Sequence, residues 1–184
     1  MAMATSDDGA GDESVFHRRL RSVGVRQSCR AGGEALTVAD LIERAQRESP
    51  GLVTTLGPPD EALIGAAEER LGLAFPEPYR QFVTEFGAME IGGRPIFGIG
   101  SSLGTVDGLN VVWHTEQARA NRDLSRNELV LSAWDDLTLE VMEIVGGDGP
   151  VRERLVEGPG EDLASSFLEW LARTIREARE DAGE

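Results

Sequence analysis

Between Glu61 and Gly87 the apolar positions recur at helical spacing in two short runs, each with its own start and stop signal. In the first, Leu63, Ile64, Ala67 and Leu71 make one stripe. Pro58 and Pro59 precede it, Asp60 and Glu61 put negative charge at the positive end of the helix, and Gly72 can take the left-handed conformation that ends one. In the second, Pro76 and Pro78 allow a helix only from Glu77 onward, Tyr79, Phe82, Val83 and Phe86 form the stripe, and Gly87 stops it. Leu73 and Phe75 lie between the two runs, where a buried corner is expected, and the aromatic stripe is read as core.

The pattern elsewhere is as well punctuated. Thr37 followed by Asp40 begins a helix whose face is Leu41, Ile42 and Ala45, and Ser49-Pro50-Gly51 ends it. A hairpin is expected from 88–91 and 95–99 around Gly92-Gly93, a pair that accepts positive φ. Residues 100–108 read as a loop, Val111 to Trp113 enter the core, and a helix is predicted over 115–121. Strands are predicted at 129–134, 138–145 and 151–156, the latter two joined by Gly146-Gly147-Asp148-Gly149. They form an antiparallel meander with one solvated face. A last helix is predicted over 161–179, with Leu163, Phe167, Leu168, Leu171 and Ile175 as its stripe and Arg173, Arg176 and Arg179 toward its negative end. The sum is an α+β domain: a central, mainly antiparallel sheet (hairpin plus meander), flanked by N-terminal helices and a long C-terminal helix.

A chain of 184 residues carries one such domain plus a tail. The division expected is a tail at 1–33, mobile or partly helical near 15–23, and a single domain at 34–184. Charge sharpens this picture. The formal net charge is −15 and every basic residue is arginine. Residues 1–49 hold 7 arginines against 8 acids, whereas residues 50–184 hold 11 against 25, so the domain carries the negative field. Such a surface repels nucleic acid and anionic lipid and speeds encounter with basic partners. The tail has an acid-free basic stretch with His17, Arg18, Arg19, Arg21, Arg26 and Arg30. No apolar run approaches the roughly 18 residues that span a bilayer. Residues 1–11 have Asp7 and Asp8 and no apolar block, so no secretory leader and a cytoplasmic location are expected.

Candidate chemistry is sparse. The histidines are His17, in the tail, and His114, which can pair with Asp107 or Glu116 but reads as structural. Cys29 has no base near it in sequence, and no cysteine–histidine pair has metal spacing. Gly98, Gly100 and Gly104 miss the dinucleotide-binding spacing, and no Lys-Ser/Thr follows for a triphosphate loop. The acid pairs Glu68-Glu69, Asp135-Asp136 and Glu161-Asp162 fall at turns and helix edges. No catalytic constellation, cofactor or metal is expected.

The residues Leu71, Gly72, Leu73, Phe75, Pro76, Tyr79, Arg80, Phe82 and Gly87, followed by Ile96-Phe97-Gly98, make a pattern that resembles the Smi/Knr proteins of the SUKH superfamily. The family corner often reads Leu-Pro, with Asn-Gly after the aromatic helix. Here Phe75-Pro76 and Phe86-Gly87-Ala88 keep the volume and the turn. The resemblance covers roughly residues 36 to 178 and implies the fold more than an activity. It implies a non-enzymatic protein-binding domain of the immunity type, which neutralises a cognate toxin by masking its active surface. The partner implied is a protein, a basic nuclease-like toxin domain, with no direct nucleic-acid or membrane contact. The alternative it implies is a housekeeping interaction scaffold. The surface expected to meet the partner is the solvated side of the meander, with Asp135, Asp136, Glu140, Glu143 and Asp148 as candidates.

Overall fold

The computed structural model describes residues 36–103, 108–135, 137–155 and 160–183. The tail expected at 1–33, with its basic stretch, His17 and Cys29, lies outside the described residues, as do Asp107, Asp136 and Val156.

The helices form where the stop and start signals put them. Helix α1 (Val38–Glu48) opens with a full capping box, in which the Thr37 hydroxyl accepts from Asp40 N–H and the Asp40 carboxylate accepts from Thr37 N–H. Helix α2 (Glu61–Leu71) is capped by Asp60 and ends at Gly72 with φ of 68°. Helix α3 (Glu77–Phe86) begins behind Pro76 and ends at Gly87. A short strand, β1 (Val53–Thr55), precedes α2 and pairs antiparallel with β2 (Met89–Ile91), which turns through Gly92-Gly93 into β3 (Arg94–Ile96). Three apolar-poor residues carry too little periodicity to announce β1; its edge position decides it.

Helix α4 (Val111–Asn121) starts four residues before the predicted boundary, because the Asn110 side chain accepts from the N–H groups of both Val112 and Trp113. The meander is β4 (Glu128–Ala133), β5 (Thr138–Glu143) and β6 (Val151–Leu155), extended by β7 (Asp162–Ala164). This last strand replaces the predicted first turn of the C-terminal helix. Helix α5 (Phe167–Asp181) begins at Ser166, whose hydroxyl accepts from Glu169 N–H, while the Glu169 carboxylate accepts from Ser165 N–H.

The expected solvated face of the meander is not found over β4 and β5. Both strands are buried along nearly their whole length, which even includes Glu128, Ser132 and Glu140. The reason is the cover that other elements supply. Helix α4 packs along β4, while Arg94 of β3 bonds Glu140 of β5 and is itself flanked by Trp134 and by Trp170 of α5. Solvated positions return only on β6 and β7.

One residue joins these parts. Phe97 N–H donates to the Leu131 carbonyl at 2.7 Å, which ties the hairpin to β4, and its own carbonyl accepts from the buried Tyr79 hydroxyl of α3 at 2.9 Å. Its ring stacks on His114 of α4, with centroids 3.7 Å apart. Phe75, Tyr79, Phe82, Phe167 and Trp170 extend the core as a chain of edge-on and tilted rings between α3 and α5. The next residue, Gly98, passes so close to the end of α3 that an added Cβ would lie 1.8 Å from the Gly87 carbonyl oxygen. Gly98→Ala is therefore expected to cost at least about 3 kcal/mol through forced backbone movement, read as a lowered urea midpoint. An unchanged midpoint would show that the crossing is loose.

Candidate functional site

The β4–β5 connection brings large apolar side chains into solvent. Trp134 is 58% exposed and Leu137 60%, and Leu155 of β6, paired across from Thr138, is 39% exposed. Asp135 shares the turn and shapes it: its carboxylate accepts from Leu137 N–H at 2.8 Å and Thr138 N–H at 2.7 Å. Those two backbone bonds hold its pKa below the usual carboxylate value, so it stays charged. An exposed aromatic beside aliphatic neighbours and a charged rim has the anatomy of a protein-binding patch.

Beneath the patch lies an ion pair. Arg94 from β3 is 7% exposed and Glu140 from β5 is 5% exposed, and the guanidinium bonds the carboxylate directly. The indole of Trp134 lies over that guanidinium at 4.4 Å, and Trp134 Nε1 reaches the other oxygen of Glu140 at 3.4 Å. Trp170 flanks the same guanidinium at 5.5 Å. A cation–π contact of this kind is worth up to about 2 kcal/mol when it is dry, so the buried pair fixes the orientation of the exposed indole.

Beside this stack is a cavity of about 260 Å³, bounded also by Glu153, Glu161, Arg173 and Glu177. Arg173 is bonded to Glu177 at 2.5 Å and to the Leu163 carbonyl at 3.0 Å. The Glu177 bond, opposed by burial and reinforced by Glu140 and Glu161, raises its pKa above the ordinary guanidinium value. Glu153 and Glu161 are held side by side by the bond from Glu153 N–H to the Glu161 carbonyl, and neither makes a salt bridge among the described residues. A larger groove of about 590 Å³ lies between the α2–α3 corner and the β5–β6 connection, lined by Leu73, Phe75 and Ile144. It brings no aromatic side chain into solvent.

The structure scatters the four described acids of the five proposed from sequence. Asp135 sits on the patch, and Asp136 lies outside the described residues. Glu140 is corrected outright: it is buried under Trp134, not exposed, because Arg94 arrives from the hairpin to neutralise it. Glu143 stands at the far end of β5, about 15–20 Å from Trp134 by strand rise, paired with Arg152 at 3.2 Å. Asp148 is half-buried and accepts from Phe167 N–H at 3.0 Å, which completes the start of α5; burial raises its pKa despite that bond. Trp134, Arg94, Leu137, Leu155 and Trp170 were missed. A tryptophan at a strand end beside Asp135-Asp136 was a readable signal. Arg94, between Gly93 and Pro95, gave none.

Of the two acid partners expected for His114, Asp107 lies outside the described residues and Glu116 is engaged elsewhere. Glu116 is held by Arg70 in a two-pronged bond at 2.6 and 2.7 Å, and His114 Nε2 instead lies 3.2 Å from the Gly108 carbonyl. Among the described residues no three His, Cys, Asp or Glu groups are placed to hold a metal ion, and no helix is long and apolar enough to cross a membrane.

Residues 38–176 match the family model described as SUKH_5, SMI1-KNR4 cell-wall, and the chain belongs to that family. It is thereby a protein-interaction domain of the Smi/Knr branch of the SUKH superfamily. No curated protein matches the chain.

Two outcomes follow. Glu140→Ala leaves Arg94 buried with only the longer contact to Glu177 at 3.7 Å and is expected to cost about 3 kcal/mol, whereas the double change Arg94→Met with Glu140→Leu recovers most of it; denaturant unfolding of the two variants reads this. For His114, burial lowers the pKa, with the Gly108 bond opposing. A depressed value in the folded state means that this contribution to stability is present above the unfolded value of about 6.5 and is lost as pH falls through the folded one. His114→Phe, which keeps a ring on Phe97, is expected to flatten the urea midpoint between about pH 7 and pH 5. An equally steep profile in the variant would place the pH dependence elsewhere.

Proposed function

We propose that the domain is an immunity-type protein that neutralises a cognate toxin by covering its active surface, with Trp134 at the centre of contact. The observation that carries this reading is the pairing of an exposed, braced tryptophan with a strongly acidic surface. Membership of the family supports binding to a protein. The 25 acids against 11 arginines in residues 50–184 support a basic partner. A nuclease presents a basic groove to phosphates. A rigid acidic surface with an aromatic anchor occupies that groove, and its carboxylates stand where the phosphates would. Asp135 and Asp136 belong to this contact, together with Leu137 and Leu155. Glu140 contributes from below by holding Arg94, and Glu143 and Asp148 lie beyond it.

The test is co-expression with toxin-like open reading frames near the gene, followed by pull-down and measurement of residual toxin activity. Trp134→Ala is expected to weaken the complex by at least about 2 kcal/mol, roughly 30-fold in Kd, with stability lowered by no more than about 2 kcal/mol. Failure to bind or silence any neighbouring toxin sinks the reading. Partner capture that requires residues 1–33 and leaves toxin activity intact supports a housekeeping scaffold instead.

A further inference from the structure

The cavity beside Trp134 has a charge balance that selects its occupant. It contains two cations, and both are committed: Arg94 to Glu140 and Arg173 to Glu177. The two remaining acids, Glu153 and Glu161, have no cation within salt-bridge distance among the described residues, Glu161 acting on Arg173 only at longer range, so four carboxylates face two guanidinium groups and the net field inside is negative. One wall is an indole with exposed surface, Trp134. Two of the lining residues also carry buried donors, Arg94 Nε and Trp170 Nε1, that find no acceptor among the described residues. Native proteins leave few such groups, and those that remain call for a ligand or water. A group that stacks on an indole and answers two carboxylates is the arginine side chain of a polypeptide. Its planar guanidinium suits both the ring face and the carboxylates, while a lysine ammonium suits only the charge.

We infer that this cavity is a subsite for an arginine side chain presented by the partner protein, read by Glu153, Glu161 and Trp134. The inference rests on the protein-binding reading above and gives it a specificity-determining contact. It also explains why Trp134 is braced from beneath by a buried ion pair: a stacking wall must keep its angle to discriminate a flat cation.

The test needs no partner. The ¹⁵N-labelled full chain has three tryptophans, so three indole N–H signals serve as reporters. Titration with N-acetyl-arginine amide is expected to shift the Trp134 and Trp170 signals saturably and leave that of Trp113 in place, with Trp134→Phe fixing the assignment. N-acetyl-leucine amide and N-acetyl-aspartate amide are expected to shift none, and N-acetyl-lysine amide to bind more weakly. Glu153→Gln with Glu161→Gln is expected to weaken the arginine probe by about tenfold or more. No saturable shift, an equal response to the leucine or aspartate probe, or undiminished binding by the double variant overturns the subsite. Loss of the subsite with toxin neutralisation intact leaves the proposed function standing. Arginine binding without any toxin partner does the reverse.

Discussion

The bond from Phe97 N–H to the Leu131 carbonyl is the seam on which the domain is assembled. The hairpin is short and pairs otherwise only with a three-residue edge strand, so alone it is too small to be stable. The seam sets it against β4, and the Tyr79 hydroxyl and the His114 ring then secure the same residue from α3 and α4. Gly98 lets the chain leave this crowded point without a side chain in the way. Backbone hydrogen bonds are directional, and buried ones are costly to leave unmade. The seam therefore fixes register as well as proximity.

Its consequence for the surface is Arg94. Three residues upstream of the seam, this arginine is carried over β5 and meets Glu140. A buried ion pair is a poor source of net stability, since two desolvation penalties offset the attraction. Here it has a second use. The guanidinium holds Trp134 by its face while the glutamate holds it by Nε1, so an exposed aromatic gains a fixed orientation. Exposed tryptophan left to rotate would lose ordering entropy on docking; one already fixed does not.

The rest of the molecule keeps that platform stiff. Strands β4 and β5 are buried along nearly their whole length, and the ring chain from Phe75 to Trp170 joins α3 to α5. Within the four-stranded sheet, solvated charge is relegated to β6, β7 and the connections, where Glu153 and Glu161 stand. This separation of a braced aromatic from rim acids suits a surface that docks onto a protein partner.

Much of this was legible along the chain. Capping residues, proline starts and glycine stops specified α1, α2 and α3 almost to the residue, because those signals act within a few residues of the backbone they control. Even the two boundary errors had local causes that the chain displayed: Asn110 capping α4 and Ser166-x-x-Glu169 capping α5. The alternation of apolar and charged residues in β5 suggested a wet face, and there the local pattern misled. Whether Glu140 meets water or Arg94 depends on a residue 46 positions away, brought in by the hairpin's docking on β4. The acidic character of the domain followed from counting charges. Which acids are free to meet a partner did not, because pairing and burial are properties of neighbours in space, and only the folded chain chooses those.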